Sequence, residues 1–286
     1  MPPGPWENTG QFLAQRFPHV PAQVLLQRLA SGDIVDHQGT PHRADTPYQA
    51  GGWLWYYREV PGEAVVPFDL PVLFRDERLV VVDKPHFLAS VPGGRYLRET
   101  ALTRLREQLD LPLLTPLHRL DRDTAGVLMF CAHPPSRGLY QALFQSRQVV
   151  KHYEAVAPRL PSLRLPLCYR SHLEQRPGHF TMLEQPALPH NSETQISLLH
   201  AQDSLGVYAL VPSTGRKHQL RAHMAALGIP IVNDMFYPVL QAMPEADDFS
   251  RPLQLLARRV CFVDPVSGQE HCFTSKRRLL LDARPN

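Results

Sequence analysis

The first 64 residues carry an apolar pattern that predicts two short helices followed by a small β unit. Apolar side chains recur every three or four positions over residues 11–29, as on one face of a helix, and Pro18 and Pro21 divide this stretch in two. A turn at Gln38-Gly39 and an aromatic-rich strand over residues 52–57 come next. This pattern is typical of a small α+β module.

The rest of the chain alternates irregularly between strand and helix patterns and contains no repeating strand–helix–strand unit. Apolar runs and alternating patterns predict strands at residues 79–82, 127–131, 149–157, 195–199 and 207–211. Helical spacing predicts helices at residues 99–109 and at 214–227, which Gly228 ends. A third helix is predicted after a cap at Ser136, with Leu139, Leu143 and Phe144 among its apolar positions. This order predicts an α+β fold with a mixed, mainly antiparallel sheet flanked by helices and loops.

A Pro-rich stretch over residues 63–71 predicts the boundary between two domains. We therefore expect an N-terminal module of residues 1–64 and a main domain of residues 65–286. No apolar run reaches the roughly 20 residues of a membrane-spanning helix. The N-terminus, MPPGPWENTGQ, lacks the basic and apolar segments of a secretory signal, so we expect a cytoplasmic protein. The net charge of +3 is too small to indicate nucleic-acid binding by itself.

Cysteine spacing argues against a metal site. The chain has four cysteines, with neither a CxxC pair nor a His at metal-ligand spacing; they are Cys131, Cys168, Cys261 and Cys272. In a reducing compartment we expect all four to be buried thiols and not part of a disulfide or a zinc site. The sequence also lacks a Gly-rich phosphate loop and a metal-ligand cluster.

The segment with the densest chemistry is HRLDRDTAG, at residues 118–126, directly before the predicted strand 127–131. Its charged and ionisable groups are too many for a core, so we expect a loop at the end of the sheet. Arg119 and Arg122 lie on either side of Asp121 and favour its ionised form, which suits a nucleophile better than a general acid. The alternative is a surface turn with local ion pairs that contribute little stability.

Two further segments combine polar and apolar residues. KHYEA, at residues 151–155, lies on a predicted strand, where Tyr153 has the alternative role of a cross-strand aromatic residue. GRKHQLRAHM, at residues 215–224, lies on a predicted helix, where Lys217 and Arg221 are four residues apart and therefore point the same way. Its alternative role is a basic helix face that is solvated or bound to phosphate.

These three segments resemble, in order, three motifs of the RluA-type RNA pseudouridine synthases. HRLDRDTAG is similar to the family's HRLDxxTSG, with Ala125 in place of Ser; KHYEA is similar to KxYxA, and GRKHQLRAHM to GRxHQxRxH. Weaker similarities lie at VDKP (82–85), GIPIVND (228–234) and LLA (255–257), and the resemblance runs from about Val72 to Val266. Phe87 and Asn233 stand where the family commonly has Gly, and Asn tolerates left-handed backbone geometry better than most residues.

The resemblance implies a pseudouridine-synthase fold and an isomerase that converts uridine in RNA to pseudouridine without a cofactor or metal. It implies that Asp121 is the catalytic carboxylate, that Arg221 pairs with it, and that Tyr153 packs on the target base. A bidentate guanidinium would hold Asp121 ionised and fixed in direction. Whether Asp121 attacks C1′ of the sugar or C6 of the base stays open. The remaining residues expected to bind substrate are His118, Arg119, Arg122, Lys151, Arg216, Lys217, His218 and Gln219.

The N-terminal module resembles an S4-like RNA-binding unit, which favours ribosomal RNA over transfer RNA as the substrate. Residues 1–64 contain four Arg and six acidic residues, a net charge of −2, so a degenerate module that only packs on its neighbour is an equal alternative. We expect a monomer. Two other functions remain: an RNA-binding protein that has lost catalysis, and a glycosidase using Asp121 and Asp123. Two residues this close in one loop rarely place carboxylates on opposite sides of a glycosidic bond.

Overall fold

The computed structural model describes residues 1–18, 20–56, 62–242 and 248–281. The chain divides into two compact units, Met1–Pro61 and Gly62–Asn286, and the boundary predicted after residue 64 lies next to this division. No helix in the described part of the chain is long and apolar enough to cross a membrane.

The N-terminal unit consists of two helices and a two-stranded antiparallel sheet: α1 (Thr9–Arg16), α2 (Ala22–Ser31), β1 (Ile34–Val35) and β2 (Trp55–Tyr56). Asn8 caps α1 by accepting a hydrogen bond from the amide of Gln11 at 2.9 Å, and Gly32 ends α2 in the left-handed conformation. Phe12, Leu25 and Leu29 are among the residues that form the core of this unit. The two predicted helices are confirmed. The predicted strand 52–57 is reduced to Trp55–Tyr56, and Tyr57 lies outside the described residues.

Within its described residues, the second unit contains one large sheet, a smaller hairpin and three α-helices. Its strands are β3 (Val72–Arg75), β4 (Leu79–Lys84), β5 (Thr115–Pro116), β6 (Ala125–Cys131), β7 (Val150–Pro158), β8 (Leu167–Ser171), β9 (Leu173–Glu174), β10 (Leu183–Glu184), β11 (Ser192–Gln202), β12 (Leu205–Pro212), β13 (Leu255–Val263) and β14 (Glu270–Thr274). Its helices are α3 (Ala101–Leu109), α4 (Arg137–Gln145) and α5 (Gln219–Ala226), with a 3-10 turn at Pro134–Ser136.

The large sheet has the strand order β3-β4-β6-β13-β7-β12-β11-β8, with β14 paired to β13 and β5 to β6. Among the described strands, β13 and β6 pair in parallel, and the other pairs are antiparallel. The prediction of an α+β fold with a mixed, mainly antiparallel sheet is therefore confirmed.

The apolar runs of β4 and β6 follow from burial of both sheet faces. Alternate residues of each strand enter two different cores, one shared with α3 and the other with α4. A third core lies between α5 and the strands β7, β11 and β12, where Leu220 and Met224 contribute from the helix. The loop that joins β5 to β6 thus emerges from a rigid, doubly covered part of the sheet.

Three local predictions were wrong. The helix predicted over residues 214–227 begins only at Gln219, because His218 adopts a left-handed conformation (φ 52°). Ser136 does not cap α4; its hydroxyl bonds instead to Nδ1 of His133 at 2.8 Å. Leu139, expected on the apolar face of this helix, is 51% exposed.

The cysteine prediction was also wrong. Cys261 and Cys272 form a disulfide between β13 and β14, where the two residues are direct cross-strand partners. Cys131 is a buried free thiol as expected, whereas the free Cys168 is exposed. The sequence separation of 11 residues did not indicate this disulfide, because only the register of the two strands brings the cysteines together.

Candidate active site

Asp121 lies in the loop between β5 and β6, which is anchored on both sides. Ser90 holds Leu120 twice: its hydroxyl donates to the Leu120 carbonyl at 2.7 Å and accepts from the Leu120 amide at 3.0 Å. The amide of Thr124 donates to the carbonyl of Asp121 at 3.1 Å, which closes the loop. The Asp121 side chain is 24% exposed, so a substrate in the adjoining cleft has access to it.

The buried amine of Lys84 supports this loop from below. Its Nζ donates to the carbonyls of Pro85 at 3.0 Å, Leu88 at 2.7 Å and Arg122 at 3.0 Å. Burial lowers the pKa of Lys84 to about 7, and the nearby carboxylates of Asp123 and Asp121 oppose that shift. Lys84 therefore ties the end of β4 to the backbone of the loop that carries Asp121.

Arg221 reaches Asp121 from α5, but not in the predicted geometry. Its Nη1 lies 3.6 Å from Oδ2 of Asp121, an ion pair that is longer than a hydrogen bond. The bidentate partner is Asp234 instead, which accepts from Nε at 2.8 Å and from Nη2 at 2.6 Å. The sequence did not identify Asp234, although it stands in the GIPIVND segment. Burial opposes the charge of Arg221, but the hydrogen bonds and charge of Asp234, followed by the charge of Asp121, raise its pKa.

Tyr153 lies on β7 and lines the same cleft as Asp121 and Arg221. Its ring packs against two of the apolar cores, so the prediction of a cross-strand aromatic environment also holds. Burial, and then the negative charge of Asp121, raise the pKa of the Tyr153 hydroxyl well above its usual value. The hydroxyl therefore stays protonated at neutral pH.

Several cations line the cleft around these three residues. Arg119, Arg147 and Arg216 line it and are exposed, and Lys151 and Lys217 line it and are partly buried. Lys151 donates to the carbonyl of Thr214 at 3.0 Å. Lys217 donates to the carbonyl of Phe180 at 2.7 Å and lies 4.4 Å from the centre of the Phe180 ring. It precedes α5, so the prediction that Lys217 and Arg221 share one helix face was wrong.

Arg147 was missed by sequence reasoning. It stands in the short turn between α4 and β7 with a positive φ of 59°, and its position at the cleft depends on that turn. The available signal was a lone Arg four residues before the Lys151 segment.

Arg122, which was expected to bind substrate, does not line the cleft. It pairs with Asp123 at 3.2 Å and lies over the rings of Phe87 and Tyr96.

The two histidines of the predicted site are neutral at physiological pH. Burial, and then the charge of Lys151, lower the pKa of His118 to about 3; its Nε2 accepts a hydrogen bond from the amide of Met129 at 3.2 Å. Burial, and then the charge of Arg221, lower the pKa of His218 to about 3. The ring of His218 bonds to the hydroxyl of Tyr237 at 3.2 Å. Neither imidazole therefore supplies a cation for phosphate.

Gln219 organises the loop at the start of α5. Its Oε1 accepts from the amide of Arg216 at 3.0 Å and from the hydroxyl of Thr214 at 2.8 Å. Its Nε2 donates to the carbonyl of Glu193 at 2.9 Å. Because the side chain is 4% exposed and its amide is bonded at both ends, Gln219 positions the cleft wall.

The cleft as a whole is open to solvent and has a volume of about 860 Å³. All three predicted catalytic residues line it, as do seven of the eight residues expected to bind substrate, Arg122 being the exception. Within the described ranges, no group of three His, Cys, Asp or Glu side chains is arranged to hold a metal ion. The cleft combines one accessible carboxylate, a buried guanidinium beside it and a rim of cations. It is thus suited to hold a polyanion while presenting a carboxylate to it.

Comparison with known proteins identifies the family. The family described as RNA pseudouridylate synthase matches residues 78–226. The uncharacterized RNA pseudouridine synthase slr1592 of Synechocystis is 32% identical over 232 residues, which cover 79% of this chain and 78% of that protein. The dual-specificity RNA pseudouridine synthase RluA of Escherichia coli K12 is 33% identical over 210 residues, 71% of this chain and 91% of that protein.

Among solved structures, human RNA pseudouridylate synthase domain containing 4 superposes with a TM-score of 0.56 at 26% identity, over 72% of this chain and 87% of that one. The fold of that structure and the sequence relatives above 30% identity both agree with the three motifs that surround the cleft. The chain therefore belongs to the RluA-type RNA pseudouridine synthases and is an isomerase that acts on RNA.

Proposed function

We propose that this enzyme converts uridine in structured RNA to pseudouridine, with the carboxylate of Asp121 as the nucleophile. The observation that carries the proposal is that Asp121, Tyr153 and Arg221, which lie far apart in sequence, line one cleft. The carboxylate is accessible from that cleft, and the guanidinium of Arg221 lies 3.6 Å from it.

In the proposed reaction the N1–C1′ bond breaks, the uracil rotates, and C5 bonds to C1′. The proton leaves C5 and N1 gains a proton, so the product is an isomer of the substrate. Asp121 bonds transiently either to C1′ of the sugar, where it displaces N1, or to C6 of the base. In either route the bond between Asp121 and carbon breaks again before the product leaves, so the free carboxylate is regenerated, and both routes fit an accessible carboxylate. Tyr153 faces the detached base, and because its hydroxyl stays protonated, it can take the C5 proton only by passing its own proton on in the same step.

A uridine stacked inside a helix cannot reach Asp121, so the target nucleotide is flipped out or already unpaired. Arg119, exposed at the rim beside Asp121, is suited to fill the vacated stack with its guanidinium plane. Arg147, Lys151, Arg216 and Lys217 are suited to contact the phosphates on either side of the flipped nucleotide. Arg122 contacts Asp123 and Phe87 and does not line the cleft, so we do not propose that it binds the RNA directly.

For the substrate class we propose ribosomal RNA ahead of transfer RNA, on the S4-like pattern of residues 1–64. The net negative charge of that module weakens the preference. Because some relatives carry the name dual-specificity, both RNA classes have to be tested. We further propose that the enzyme acts as a monomer in the cytoplasm.

The proposal is tested with RNA that carries tritium at C5 of uridine. Purified enzyme is incubated with ribosomal and transfer RNA transcripts, and tritium released to water is counted. We expect release from ribosomal RNA at a higher kcat/KM than from transfer RNA. Binding of either RNA without tritium release would show a protein that has lost catalysis and would contradict the proposed function. A preference for transfer RNA would contradict the substrate class alone.

A further inference from the structure

Asp234 is an acidic residue that the mechanism above does not use. It stands at the end of the segment that follows α5, and its side chain is entirely buried. Its carboxylate accepts four hydrogen bonds: two from Arg221, one from the amide of Phe236 at 2.8 Å and one from the amide of Tyr237 at 3.2 Å. Such a fully bonded carboxylate has a fixed position and orientation.

The arrangement leaves one edge of the Arg221 guanidinium directed at Asp121. Asp234 takes Nε and Nη2, whereas the buried Nη1 has no hydrogen-bond partner among the described residues and lies 3.6 Å from Oδ2 of Asp121. The rings of Phe236, at 4.4 Å, and Tyr237, at 5.8 Å from the guanidinium carbon, restrict its rotation. Asp234 therefore accepts two hydrogen bonds from the guanidinium, whereas Asp121 has one longer contact with it.

We propose that Asp234 is a positioning residue that keeps Arg221 from forming a bidentate pair with Asp121, an inference that rests on the proposed role of Asp121. A guanidinium fork prefers two parallel hydrogen bonds to one carboxylate. If Asp121 received that fork, both of its oxygens would be bonded and turned towards Arg221, and it would be a weaker nucleophile. Asp234 occupies the fork, so Asp121 has only a single, longer contact with Arg221 and keeps an oxygen for the nucleotide.

The test is Asp234→Asn, which preserves the shape of the side chain and an oxygen that can accept from the amides of Phe236 and Tyr237. It removes the negative charge and one acceptor for Arg221, so the guanidinium is released towards Asp121. Arg221→Met is less suitable, because it would leave the buried carboxylate of Asp234 without its cation and destabilise the fold.

The matched control is Asp264→Asn. Asp264 is also buried and accepts hydrogen bonds from two backbone amides, those of Val266 at 2.9 Å and Ser267 at 2.8 Å. It does not line the cleft, so the same chemical change there reports the effect of lost stability alone.

We expect Asp234→Asn to lower kcat by roughly 100-fold, the scale of a misplaced catalytic group, with KM for RNA changed less than about threefold. Its crystal structure should show two hydrogen bonds from Arg221 to Asp121. Asp264→Asn should retain the wild-type kcat. The inference is overturned if Asp234→Asn keeps a kcat close to that of the control, or if its guanidinium stays in the wild-type orientation whatever the kcat.

The two readouts separate this inference from the proposed function. If wild-type enzyme releases no tritium from any RNA, the proposed function fails, and the crystal structure of Asp234→Asn still decides whether Asp234 controls the direction of Arg221. If the wild type is active and the variant is equally active, only the positioning role fails.

Discussion

Gly126 and Ala257 approach each other so closely that only glycine fits at the start of β6. A Cβ atom at position 126 would lie 2.2 Å from the carbonyl oxygen of Ala257, and Gly126 has a φ of +113°. The two residues are parallel partners of β6 and β13. Since Gly126 directly follows the loop that carries Asp121, this contact sets where that loop leaves the sheet.

Gly126→Ala should therefore destabilise the protein. The new methyl group meets backbone, which cannot move aside, and the positive φ is unfavourable for alanine, so we expect a loss of at least about 2 kcal/mol in the free energy of unfolding. Denaturant unfolding measures it. The control is Gly138→Ala inside α4, where a Cβ meets nothing within 4 Å; it should stabilise the protein by about 0.5–1 kcal/mol. Equal effects of the two substitutions would contradict the close contact.

Tyr153→Phe tests the hydroxyl without removing the ring. If the hydroxyl helps to take the C5 proton, kcat should fall by roughly 100- to 1000-fold while KM changes little, because the ring still packs on the base. Tyr169→Phe is the matched control, since the Tyr169 hydroxyl bonds to Glu184 at 3.1 Å away from the cleft lining. Single-turnover rates on a uridine-containing RNA give the comparison. A Tyr153→Phe enzyme at the control's rate would leave Tyr153 with a packing role only.

Arg147→Ala should weaken RNA binding without affecting the chemical step. Loss of one phosphate contact is expected to raise KM roughly five- to tenfold and to reduce the salt dependence of binding by about one unit of slope. Arg164→Ala, which removes an equally exposed Arg outside the cleft, should change neither. Binding measured over a range of salt concentrations tests this, and an unchanged slope for Arg147→Ala would remove it from the RNA-binding surface.

The buried amine of Lys84 should make the free energy of unfolding depend on pH. Its pKa is lowered to about 7 by burial, whereas in the unfolded chain it is near 10.5. Between these values the unfolded state binds a proton that the native state lacks, so Lys84 destabilises the native state most at and below pH 7, and this penalty disappears as pH rises from 7 to about 10. The difference in unfolding free energy between wild type and Lys84→Met should therefore increase across that window. A difference that is flat in pH would contradict the lowered pKa.

The helices, the buried strands and the residues of the cleft could be predicted from the sequence because each depends on a short local pattern of residues. The apolar runs of β4 and β6 and the prolines between α1 and α2 act over a few residues. Phe87 and Asn233, placed where the related family has Gly, indeed have positive φ values of 67° and 63°. The motif order was then enough to predict that Asp121, Tyr153 and Arg221 form one site, which the structure shows lining one cleft.

What the sequence did not predict depends on distances across the fold. The disulfide between Cys261 and Cys272 follows from strand register, and the choice of Asp234 as bidentate partner follows from a buried turn that wraps around Arg221. The cations beside Asp121 in sequence were a misleading guide, because Arg122 turns away to Phe87 and Tyr96 while Arg221 approaches from another element. In each case the contact depends on how separate elements pack against each other, which the local sequence does not specify.

The central claim is that the negative carboxylate of Asp121 is the nucleophile, and Asp121→Asn tests it most directly. The variant is compared with Asp123→Asn, the same change two residues away in the same loop, in a single-turnover tritium-release assay on C5-labelled RNA. We predict that Asp121→Asn binds the RNA but releases no tritium above background, whereas Asp123→Asn retains activity within about tenfold of wild type. Appreciable tritium release by Asp121→Asn would contradict the account.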